Sequence, residues 1–178
     1  MNMKKTLLAL ALICSATYAS AQYNYTETGT NGNTIVQGPF NADPGIQTGD
    51  SKKTTATKMM AVHKVGVWKY WHDNGTLTCE EHYNSFGTRI GIWKTWNNAG
   101  VVLTEVNYTT GHAIYYYENG TKAEEGDMNA NNQQIGAWKG WHSNGTLNYT
   151  GTFDANGNKT GVWKFYDERG NSIGTENH

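Results

Sequence analysis

The stretch Gly66-Val67-Trp68-Lys69-Tyr70-Trp71-His72-Asp73-Asn74-Gly75 decides the fold, because it joins an aromatic-rich extended run to an Asn-Gly pair. β-branched and aromatic residues favour a pleated, half-buried strand, and Asn-Gly is a strong short-range hairpin signal. The pattern G-x-W-K-x-aromatic-x-x-x-G then returns as GIWKTWNNAG from Gly91, GAWKGWHSNG from Gly136 and GVWKFYDERG from Gly161. A worn copy, GHAIYYYENG, begins at Gly111 with Ala113 and Ile114 in place of Trp and Lys. The leading glycines stand 25, 20, 25 and 25 residues apart, and all 7 tryptophans fall inside these copies. A fixed period of this length marks a repeat architecture, in which units stack because none can bury its apolar face alone.

The short step has a local cause. Tyr83, Met128 and Phe153 each stand 8 residues before the next leading Gly, whereas Tyr108 stands only 3 before Gly111. Five residues are therefore missing from one turn while the strands are kept. An earlier fragment, Gly32 through Gly38 to Phe40-Asn41-Ala42-Asp43, mirrors Gly145 through Gly151 to Phe153-Asp154-Ala155-Asn156 and reads as the back half of a degenerate unit. Residues 49–57 are polar and aperiodic, and read as a loop or connector.

Centring a two-residue type I′ turn on Asn74-Gly75 sets the register: Lys69 faces Glu80, Trp68 faces Glu81 and Trp71 faces Thr78. The same rule places Lys94 opposite Glu105, Trp138 opposite Gly151 and Ala113 opposite Gly126. Opposite charges meeting across a hairpin contribute about 0.2–1 kcal/mol per pair. Alternation along each strand assigns Trp68, Leu77, Tyr83, Trp93, Val102, Val106, Tyr108, Trp138, Leu147, Tyr149 and Phe153 to a packing face. The opposite face takes Lys69, Glu80 and a second aromatic row, Trp71, Trp96, Tyr116, Trp141 and Tyr166. That row is the candidate binding face, since large exposed apolar patches mark interaction sites. The expected fold is all-β, a twisted antiparallel meander of tandem hairpins forming a single-layer sheet, with a repeat domain over 58–178 preceded by the degenerate unit and connector at 22–57.

The repeat G-x-W-K-x-W/Y-x-x-x-G-x-L, followed by Y-x-x-G-x-x-x-G-x-W, resembles the MORN repeat variant of bacterial proteins of the YwqK-type antitoxin family. The resemblance spans Gly66 to Gly170. It implies stacked β-hairpins and a module that binds or scaffolds partners, with an antitoxin-like component of a toxin–antitoxin pair as one form of that role.

Composition narrows the function further. Met1 to Lys5, the apolar run 6–16 and the small-residue site Ala19-Ser20-Ala21 read as a signal peptide over 1–21, with cleavage near Ala21. The reading is therefore of an exported protein: periplasmic, at the outer surface or secreted. The apolar run falls short of the roughly 18 residues a membrane span needs. Ile13, where a small residue precedes a lipidated cysteine, argues against a lipid anchor at Cys14. Removing residues 1–21 from the 178 leaves 157 residues carrying 12 basic and 15 acidic side chains. A mildly acidic chain without clustered Lys and Arg is a poor nucleic-acid binder.

Cys79 is then the single cysteine, so packing and strand pairing rather than an internal disulfide must supply stability. His72 and His142 are equivalent but 70 residues apart, and read as polar variation near a turn rather than as metal ligands. The adjacent carboxylates Glu80-Glu81 and Glu124-Glu125 point to opposite faces of a strand, which disfavours a hydrolytic pair. No phosphate-binding loop is present. The expectation is a non-enzymatic protein without cofactor or metal, its partner an unidentified protein or, alternatively, an envelope glycan held by the aromatic row.

Overall fold

The computed structural model describes residues 23–47 and 49–178, so the signal-peptide reading and Cys14 lie outside the described residues. The described residues divide into two compact units, those up to residue 91 and residues 92–178. The first unit holds β1 (Tyr23–Thr28), β2 (Thr34–Phe40), the helix α1 (Lys52–Met60), β3 (Gly66–Trp71) and β4 (Leu77–Tyr83). The second holds β5 (Ile92–Trp96), β6 (Val102–Asn107), β7 (His112–Tyr116), β8 (Lys122–Met128), β9 (Gln134–Trp141), β10 (Leu147–Phe153), β11 (Lys159–Tyr166) and β12 (Ser172–Asn177). Within each unit strand order follows the chain and neighbouring strands pair antiparallel, so the fold is the all-β meander of hairpins that the repeat predicts.

The turns differ from the two-residue type I′ form. In the first repeat the His72 amide donates to the Thr76 carbonyl and the Gly75 amide to the His72 carbonyl, leaving Asp73, Asn74 and Gly75 as a three-residue loop. Only Gly75 has positive φ, at 85°, which fits a type I turn closed by a left-handed glycine and not type I′, where Asn74 would be left-handed too. The same hydrogen-bond pair closes the turns starting at Gly29, Asn84, Asn97, Tyr117, Asn129, His142, Asp154 and Asp167, whether or not they fall within one repeat. Asn132 fills the left-handed position in one of them, with φ 59°, a conformation asparagine tolerates better than other residues with a side chain.

Each long repeat also carries a bulge next to the second aromatic. The register runs Lys69 opposite Glu80 and Tyr70 opposite Cys79, as expected, but then Trp71 opposite Leu77, leaving Thr78 without a counterpart on β3. Trp96 likewise pairs with Val102, and Trp141 with Leu147. The extra residue sits on the return strand. It leaves the aromatic row in place and moves Leu77, Val102 and Leu147 from the expected packing face to the opposite side, beside the second aromatics.

Residues 52–60, which overlap the segment 49–57 read as a loop and run three residues beyond it, form α1. Its N-terminus is capped by the Ser51 hydroxyl, which accepts from the Thr54 amide at 3.1 Å. Lys58 ties the helix back to Asp50 and to the Gly45 carbonyl, at 2.9 and 2.7 Å. Met59 and Val62 pack on the core cluster of Tyr25, Phe40, Ile46 and Trp68. Tertiary packing thus fixes a helix that three threonines and three lysines do not announce as an amphipathic pattern.

Candidate binding face

The two sides of the strands are built by different chemistry. On the packing side, Trp68, Trp138 and Trp163 are 0, 0 and 2 % exposed. Each lies over a glycine of the preceding strand: Trp68 over Gly38, Trp138 over Gly126 and Trp163 over Gly151. A Cβ at 151 would stand 2.1 Å from the Trp163 ring, so no larger residue fits. The indole then donates Nε1 to the carbonyl after that glycine, to Pro39 at 2.8 Å, Asp127 at 3.0 Å and Thr152 at 3.3 Å. Trp138 does oppose Gly151 within its own hairpin, as expected, yet the ring that shields Gly151 arrives from β11.

The worn copy preserves this volume by exchange, because Val106 stands where the glycine would be and a fully buried Ala113 where the indole would be.

Cations complete two of these cells. Lys64 Nζ lies 5.0 Å from the Trp68 ring, 4.9 Å from Tyr70 and 5.5 Å from Tyr83, and pairs with Glu81 at 2.7 Å. Lys159 occupies the equivalent place over Trp163, at 4.3 Å. The Tyr70 and Tyr83 hydroxyls both donate to Glu81 at 3.0 Å; burial first, then that carboxylate, pushes both phenols well above their usual range. Cys79, facing Tyr70, is pushed up to about 11 by burial and by the Glu81 charge, which leaves it a structural thiol.

On the opposite side the second aromatics Trp71, Trp96, Tyr116, Trp141 and Tyr166 are all partly exposed. Their cross-strand neighbours are Leu77, Val102, Lys122, Leu147 and Ser172. Lys122 reaches to 5.2 Å from the Trp141 ring and pairs with Glu125. Beside this row runs a charged one, with Lys69–Glu80 at 3.3 Å and Lys94–Glu105 at 3.2 Å. Burial alone would raise the Glu80 carboxyl, but hydrogen bonds from His82 and Lys69 hold it below its usual value. Lys139 and Lys164 stand in the same row, both exposed, with Thr150 between them. Neither was among the expected binding residues, although a signal was present in the threonine that replaces the facing glutamate.

His142 braces the next turn: its Nε2 donates to the Tyr166 carbonyl at 2.8 Å, as the hydroxyl of the equivalent Tyr117 donates to the Trp141 carbonyl at 2.7 Å. Asn119 and Asn144 amides similarly bridge to Ser143 and Glu168 carbonyls of the following turn. These contacts tie one turn to the next within the second unit. The shortened turn at 107–111 leaves an open recess of about 250 Å³ bordered by Tyr108, Met128 and Asn129. Among the described residues, no helix is long and apolar enough to cross a membrane.

Residues 64–85, 109–130 and 134–158 match the family model described as MORN repeat variant. These segments coincide with the hairpins β3–β4, β7–β8 and β9–β10, the worn copy among them. No curated protein matches the chain.

Proposed function

From a chain that carries MORN repeat variants, we propose an exported, non-enzymatic repeat module that holds a macromolecular partner across its second aromatic row. The observation that carries this reading is the contrast in burial: Trp68, Trp138 and Trp163 are closed off, while Trp71, Trp96 and Trp141 on the other side keep accessible ring surface. Packing alone explains the first set, since each fills a glycine cell and satisfies its indole N–H. The second set has no such cell, and partly exposed indoles carry much of the affinity at protein and ligand interfaces. Within the second unit, antiparallel strands joined by short turns hold Trp96, Tyr116, Trp141 and Tyr166 on alternate strands, which suits a scaffold presenting a surface.

The test is retention of envelope protein and glycan fractions by the intact chain and by a Trp71→Ala/Trp96→Ala/Trp141→Ala variant whose far-ultraviolet dichroism is unchanged. The reading expects loss of retention in the variant; equal retention refutes it. N-terminal sequencing of the protein recovered outside the cytoplasm should begin at Gln22, and an intact Met1 terminus on that material would refute processing near Ala21.

A further inference from the structure

Resting on that reading, we propose that the ligand held across the second unit is an acidic polysaccharide, its carboxylates taken by Lys139 and Lys164 and its sugar faces by Trp141 and Tyr166. The argument begins with charge balance along one row. Lys94 is matched by Glu105 at 3.2 Å. Glu125 faces Lys139 in the β8–β9 register, but its carboxylate is taken by Lys122. Lys139 and Lys164 then flank Thr150, and Lys164 has Thr175 on its other side. Neither lysine makes an ion pair among the described residues, and both are exposed.

In a chain of net charge −1, two bare ammonium groups on one row form a local site for anions. Each has a partly exposed ring two residues further along its own strand and on the same face, Trp141 for Lys139 and Tyr166 for Lys164. The two ring-and-cation sets lie two strand spacings apart, roughly 9.6 Å.

A ligand complementary to this surface repeats a flat ring face and a negative charge at a constant interval. A polymer of acidic sugars does so by construction, whereas an acidic peptide supplies charge without a recurring ring. Each exposed ion pair adds modest energy, so the two lysines together are expected to alter affinity about tenfold, and more at low ionic strength.

The experiment titrates the full chain with polygalacturonate, a neutral β-glucan and polyglutamate at low and physiological salt. It compares the natural protein, a Lys139→Gln/Lys164→Gln variant and a Trp141→Leu/Tyr166→Leu variant, all checked for native dichroism. Polygalacturonate is expected to bind in a salt-sensitive manner, to weaken about tenfold in the lysine variant with loss of that sensitivity, and to weaken in the ring variant. Lysine-variant binding within about twofold of natural, with binding lost in the ring variant, overturns the anion assignment and leaves the aromatic-row reading standing. Indifference of both variants overturns both readings. Polyglutamate binding as tightly as polygalacturonate points instead to an acidic protein partner and overturns the sugar assignment, as does absence of polygalacturonate binding.

Discussion

Replacing Gly151 with alanine probes the packing cell that the repeats share. The added Cβ would meet Trp163 Cδ2 at 2.1 Å and Cε2 at 2.2 Å. The ring has no easy retreat: Tyr149 stacks on it at 5.4 Å, Phe153 meets it edge-on at 5.0 Å, and Nε1 is bonded to the Thr152 carbonyl. Overpacking of a filled site costs about 1–3 kcal/mol, and loss of the indole hydrogen bond adds about 1. Alanine in a strand interior is ordinarily better than glycine by about 0.5–1 kcal/mol, so Gly151→Ala should lower stability by about 1–3.5 kcal/mol net. Urea unfolding followed by far-ultraviolet dichroism measures it. In a Trp163→Ala background, itself destabilised by about 3–5 kcal/mol, the same substitution should be neutral or mildly stabilising. An equal cost in both backgrounds would refute the cell, because the penalty would then not arise from the indole.

Asn132→Gly should stabilise the 129–133 turn by up to about 1 kcal/mol, and Asn132→Ala should destabilise it by a similar amount, in the same urea assay; the reverse order would deny the left-handed geometry. Introducing Trp at Ala113 alone should disrupt the second unit, while Ala113→Trp with Val106→Gly should restore native dichroism by rebuilding the standard cell. Cys79 should react with a thiol reagent at neutral pH about a hundredfold more slowly than an exposed thiol and at the full rate in denaturant, since its pKa rises from 9.0 to about 11. The Glu80 carboxyl is depressed on folding, so its contribution is present above its unfolded value near 4.5 and is lost as pH falls through the lower folded value. Glu80→Gln should accordingly flatten the acid side of the stability profile, and an unchanged acid slope would contradict the assignment.

The pairs Lys69–Glu80, Lys94–Glu105 and Trp138–Gly151 were readable from the residues alone because two local departures cancel. The three-residue turn shifts Trp71 onto Leu77, and the bulge at Thr78 restores the count by Tyr70 and Cys79. Alternation beyond the bulge was therefore legible, and the side taken by Leu77, Val102 and Leu147 was not, since nothing in Thr-Leu-Thr marks a bulge. The partner of each indole was hidden for a related reason. Gly151 lies between Trp138 and Trp163, and only the β10–β11 register decides which ring covers it. The Ser51 cap on Thr54 is local, but helix α1 also depends on Lys58 reaching the Gly45 carbonyl and on Met59 packing on the core, which local propensity does not contain. In the candidate face the rings were visible as a period, whereas the bare lysines emerge only when the strands on both sides are known.

Residue-resolved oxidation of the tryptophans, quantified by mass spectrometry on the native protein, addresses the two-sided arrangement on which the binding proposal stands. Trp71, Trp96 and Trp141 should be modified readily, while Trp68, Trp138 and Trp163 should stay protected until the chain unfolds. Modification of Trp138 and Trp163 at the rate of Trp141 would contradict the account.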